Sequence, residues 1–107
     1  MSQRLHMIEH MLETNPKDSF LHYCAALEHQ KNGDIGQAIK ILKAIVKGDP
    51  DYLASYYQLG KLLESKNKSA EAIEYYKAGK VVARKKNDLK TLGELSEALM
   101  LLDVYED

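Results

Sequence analysis

His6 and His10 lie four residues apart, with Glu9 and Glu13 beside them, and are the residues of this chain best spaced to hold a metal ion. Positions four apart share one face of a helix, and paired histidines can grip a divalent ion there. Two histidines with no third partner are only half of a tetrahedral set, so the pair reads as part of a solvated face. His22 and His29 read as ring-shaped fillers of a packed interface. Lys80, Arg84, Lys85 and Lys86 form a basic run, the type of cluster that meets phosphates. Asp88 follows it and no aromatic interleaves, so the run reads as cations at the negative end of a helix dipole. Cys24 is the only cysteine, which excludes an intrachain disulfide and reads as a small core filler in a reducing compartment. No glycine-rich phosphate loop, nucleophile elbow or complete ligand set is present. The expectation is a protein that is not an enzyme and uses no cofactor and no metal.

The composition sets the frame for those residues. Of 107 residues, 45% are hydrophobic and 29% charged, with a net charge of −1. A near-neutral balance argues against nucleic acid as the partner, which calls for a basic excess. No apolar run is long enough to span a bilayer and no signal-peptide pattern opens the chain, so the expectation is no membrane and a cytoplasmic location.

Prolines and glycines divide the chain into helical segments. Pro16 and Pro50, after Asn15 and Asp49, mark turn starts. Gly33 should end a helix at positive φ with Asp34 capping the next, and Asn67 stands in the equivalent place. Ser69 and Glu71 read as a further helix start. Between these breaks, apolar residues recur at helical spacing over about 3–14, 18–31, 35–47, 51–65, 69–85 and 88–105. Leu5, Ile8, Met11 and Leu12 form the first stripe; Leu89, Leu92, Leu95, Leu99 and Leu102 form the last. The acidic tail of Asp103, Glu106 and Asp107 reads as solvated.

An internal repeat, with the same period that separates Pro16 from Pro50, organises these segments. His22, Ala25, Ala26, His29, Ala38, Leu42 and Pro50 are matched in turn by Tyr56, Leu59, Gly60, Leu63, Ala72, Tyr76 and Arg84. Small residues on the first helix of each pair meet small residues on the second, and larger ones fill the gaps around the crossing. Residues 53–86 closely resemble the tetratricopeptide repeat, with Arg84 in place of its proline, and residues 19–52 resemble it more loosely. The resemblance implies an all-α fold, an antiparallel helix-pair solenoid of about six helices. The expected layout is one domain over 1–107: a B-type helix at 3–16, repeats at 19–52 and 53–88, and an A-type capping helix at 89–105. Arg4 takes the small-residue slot on the first helix, a departure that implies an outer side on which nothing packs. With two residues inserted, Leu92, Leu95, Ser96 and Leu99 fall on the A-helix slots of the last.

The family binds partners along a concave face lined by A helices. Mapped onto this chain, the resemblance places Phe20, Tyr23, Leu27, Lys31, Tyr57, Lys61 and Lys90 on that groove. Tyrosine offers rigid apolar area with a polar tip, suited to peptide recognition. The alternative for Tyr23 and Tyr57 is that they pack between helices. The family's two-carboxylate clamp is not expected, since only Lys90 fits its pattern. The implied function is a protein–protein interaction module binding a peptide or helix of another protein. Apolar surplus on the last helix, at Leu95, Met100, Leu101 and Val104, points instead to a homo-oligomeric assembly protein, such as a homodimer, associating through its terminal helices.

Overall fold

Helix caps and turn residues set the element boundaries in the computed structural model, which describes residues 2–105; Glu106 and Asp107 of the acidic tail lie outside the described residues. The helices are α1 (Gln3–Thr14), α2 (Ser19–Lys31), α3 (Ile35–Gly48), α4 (Ala54–Ser65), α5 (Ser69–Lys85) and α6 (Leu89–Leu101), with no strand among the described residues. Ser2, Asp18, Asp34 and Asp88 cap α1, α2, α3 and α6 by accepting the N–H three residues on. Gly33 (φ 85°) and Asn67 (φ 60°) take left-handed turns at the equivalent places, as their residue types anticipate.

The boundaries depart most from the sequence reading at the start of α4 and the end of α6. α4 starts at Ala54, because the Tyr52 N–H bonds to the Asp49 carbonyl and Pro50–Leu53 form a turn. α5 starts at Ser69 as expected, and Lys68 holds its cap position without a side-chain cap bond. α6 ends at Leu101, where Asp103 turns left-handed (φ 63°) and the Val104 N–H closes onto the Leu99 carbonyl.

The chain divides into two compact units, one ending at Tyr52 and one starting at Leu53. In the first, α1 packs on α2 and α2 on α3. Its core joins Leu5 and Ile8 of α1 to Ala25 of α2, with Leu12, Cys24 and Ile41 against them. Met11, grouped with that stripe by sequence, is exposed. Ala38, Leu42 and Ile45 form the buried face of α3, and the Ser19 hydroxyl donates to Asp49 Oδ2 at 2.6 Å, tying the start of α2 to the end of α3.

In the second unit, α5 packs on both α4 and α6. The two crossings depend on two glycines. A Cβ at Gly60 would clash with the edge atoms Cε1, Cζ and Cδ1 of the Tyr76 ring, and a Cβ at Gly79 would sit 2.7 Å from Tyr56 Cβ and 3.0 Å from Leu95 Cδ1. Each glycine is a notch that admits a neighbour's bulk. Tyr76 is fully buried and its hydroxyl donates to Glu64, so its ring has no room to retreat.

Gly60→Ala separates two effects of opposite sign. Helix propensity favours alanine by about 0.8–1.0 kcal/mol. Overpacking against a pinned ring costs about 1–3 kcal/mol or more. Overpacking should win, lowering the thermal midpoint by several degrees; a raised midpoint would show that the notch is unfilled.

Candidate functional site

Helix α2 carries four of the seven expected groove residues, and the structure separates them. Phe20 and Leu27 are 61% and 37% exposed. They open onto a groove of about 570 Å³ between α1 and α2, together with Met7 and Met11 of α1 and with Cys24. Ile8 and Leu21 also line it, and Arg4 and Glu28 contribute its charges. Tyr23 instead is half-buried, its ring tilted against Tyr52 at 5.8 Å between centroids. Burial raises the pKa of both phenols. Lys31 is exposed and does not line this groove.

Met7 and Met11 were not singled out by sequence as groove residues. Their signal was the repeat phase: at the equivalent positions of the next repeat stand Ile41 and Ile45, both apolar. Glu28 was also missed. It occupies the place that the buried Leu62 holds in the next repeat, and its carboxylate is buried beside α1. There the Ser2 hydroxyl donates to Oε2 at 3.3 Å and Arg4 Nη1 lies 3.5 Å from Oε1. Cys24 faces the same region, and burial pushes its thiol pKa up, making it a poor nucleophile.

The remaining three expected residues come together in the second unit. Tyr57, Lys61 and Lys90 line a more polar groove with Glu94, Glu97 and Leu101. Lys61 Nζ sits 5.8 Å from the centre of the Tyr57 ring, and that ring packs on Tyr76 at 6.2 Å. Tyr57 therefore combines an internal packing role with a half-exposed edge.

The self-association set needs correction. Leu95 is fully buried in the Gly79 notch and offers nothing to a partner. Val104 lies past the end of α6 and is half-buried. Met100 and Leu101 are exposed, as is Leu89 at the start of the helix.

The histidines stand apart from one another's chemistry. His6 and His10 are exposed on α1, and among the described residues no three His, Cys, Asp or Glu are placed to hold a metal. His22 Nε2 lies 2.8 Å from the Pro16 carbonyl, and His29 Nδ1 lies 3.8 Å from Asp34. Lys80 is buried on α5, so the exposed basic run is reduced to Arg84, Lys85 and Lys86. No helix among the described residues is long and apolar enough to cross a membrane.

Comparison with known proteins agrees with this architecture. The sequence model of the tetratricopeptide repeat matches residues 29–92. A crystal structure of a tetratricopeptide repeat domain protein from Salinibacter ruber is 37% identical, covering 80% of this chain and 96% of that one, with a TM-score of 0.77. A solution structure of a tetratricopeptide repeat domain protein from the same organism is 39% identical over 79% of this chain and 86% of that one, again with a TM-score of 0.77. A solution structure of a Bordetella parapertussis protein shares the fold at 23% identity, covering 96% of this chain and 90% of that one, with a TM-score of 0.80. None of the curated proteins compared with the chain matches it.

Tyr76 gives this region a pH signature. Burial, then its hydrogen bond to Glu64, holds its pKa far above the ordinary 10.0. The folded chain keeps this proton where the unfolded chain releases it. The stabilisation is therefore complete below about pH 10 and is lost as the pH rises beyond. Tyr76→Phe should flatten the alkaline loss of stability measured by denaturant titration. At neutral pH it should cost about 1 kcal/mol, through the hydrogen bond removed. An alkaline profile unchanged by the substitution would assign the loss to other groups.

Proposed function

Because the chain belongs to the tetratricopeptide repeat family, generally a protein-interaction module, we propose that it is a non-catalytic module that binds a peptide or helix of another protein. The supporting observation is the open apolar groove of the first unit. Phe20 and Leu27 face Met7 and Met11 across it, and all four are exposed. Contiguous exposed apolar surface of this kind marks an interaction site, and methionines adapt to a partner's shape. The mechanism is burial of the partner's apolar side chains against these four residues, in the helix-in-groove manner. Tyr57, Lys61, Lys90, Glu94 and Glu97 offer a second, polar surface of mixed charge, suited to fixing a partner's orientation rather than supplying affinity. A lone half-buried thiol suits a cytoplasmic setting. A second reading, self-association through α6, is favoured by exposed Leu89, Met100 and Leu101.

Peptides selected on the purified protein from a random-sequence display library test the groove. The enriched sequences should place apolar residues at helical spacing. Phe20→Glu with Leu27→Glu should weaken their binding by at least about tenfold, or about 1.4 kcal/mol, with helicity unchanged. Binding that survives this double substitution would place the site elsewhere.

A further inference from the structure

We propose that the groove between α1 and α2 receives helix α6 of a second copy of this chain, so that copies associate head to tail. The inference rests on the reading of that groove as a helix-binding surface and names its occupant. Three observations carry it.

The first is the repeat phase. In the second unit, Gly60 of α4 admits the Tyr76 ring of α5, and Gly79 of α5 lies against Tyr56 of α4. Two repeats back, the positions of Tyr76 and Gly79 are Ile8 and Met11 on α1. On α6, allowing for two inserted residues, the positions of Gly60 and Tyr56 are Ser96 and Leu92. Thus α1 carries the B-type half of a crossing and α6 the A-type half. Ser96 and Leu92 are both partly exposed, leaving the α6 half accessible.

The second is the shape of the two faces. Leu89, Ser96 and Met100 recur at helical spacing along one side of α6, a bulky residue at each end and a small one between. Leu89 and Met100 are 71% and 53% exposed. The groove offers the complement: exposed Met7 and Met11 on one wall and exposed Phe20 on the other.

The third is charge. Antiparallel packing with α1 sets the C-terminal end of the docked helix beside Arg4, the position equivalent to Ala72. That end carries the negative pole of the α6 dipole and the exposed carboxylate of Asp103, both complementary to a guanidinium. Arg4 is too large for a close helix crossing at that slot. Its side chain is drawn toward Glu28 at the end of the groove, where it can meet a helix terminus rather than a helix side.

Such a contact joins different patches on the two copies, so it propagates instead of closing as a symmetric pair. Sedimentation equilibrium from about 1 μM to about 1 mM, the range of modest interfaces, should show average masses rising past the dimer. Met7→Glu with Met11→Glu blocks the groove, and Leu89→Glu with Met100→Glu blocks the helix; each variant alone should be monomeric. Mixed in equal amounts they should form a dimer and nothing larger, because each supplies the face the other lacks. Circular dichroism confirms that both retain helicity, with glutamine replacing glutamate wherever it falls. A wild-type protein that stays monomeric overturns the proposal, as does a dimer that survives either pair of substitutions or a mixture that fails to associate. Library peptides that bind the groove of a monomeric wild-type protein would overturn this occupant while leaving the groove reading intact.

Discussion

Close approach of helices at missing side chains is the constraint on which the second unit depends. Gly60 lets the Tyr76 ring come closer than a Cβ would allow, and Gly79 does the same for Tyr56 and Leu95. The two notches lie on adjacent helices, so α5 is clasped on both sides. Packing of this density leaves little freedom to slide, because each ring is confined by the backbone it rests on. The Tyr76–Glu64 hydrogen bond then closes the polar end of a ring whose body is fully buried. In the first unit Ala26 stands in the place of Gly60 and Ile45 in the place of Gly79, and Ala26, Ala38, Leu42 and Ile45 are buried where α2 and α3 pack. There a small residue is kept at only one of the two places, and the Ser19–Asp49 hydrogen bond ties the same two helices together.

The notches also bear on which helix faces stay open. A helix pair that needs only one side of each helix for its internal crossing leaves other sides free. On α2 that side holds Phe20 and Leu27, and α1 adds Met7 and Met11 to it. On α4 and α6 the corresponding surface is polar, with Tyr57 turned inward onto Tyr76 and Lys61 laid near its ring. The two units therefore present different chemistry from the same repeat. Apolar burial gives the first unit more to gain from a partner. The mixed charges of the second have more to contribute to orientation than to affinity.

Much of the fold was legible because its signals are local. Proline, glycine and asparagine fixed the turns, and the repeat phase fixed which helices form pairs. Where reading failed, the cause was a non-local contact or a permissive residue. The start of α4 is displaced by a turn at Tyr52, whose ring packs against Tyr23, far away in sequence. The end of α6 is set by Asp103, an unusual but tolerated residue at positive φ. The groove was half legible. Tyr23 and Tyr57 are in phase, but their ring partners, Tyr52 and Tyr76, are not: one repeat away from these stand Lys86 and Leu42. Which face each tyrosine packed against was therefore hidden. Leu95 looked like surplus bulk because its seat is a glycine, and an absent side chain leaves no apolar mark in a sequence.

The steric claim is tested most directly by a double-mutant cycle across the α4–α5 crossing. Stabilities of wild type, Gly60→Ala, Tyr76→Leu and the double variant give the coupling between the two positions. If the ring fills the glycine notch, the added methyl should be far less costly once the ring is gone, with a coupling of about 1 kcal/mol or more. Additive effects, with alanine at position 60 costing the same beside leucine as beside tyrosine, would contradict the account.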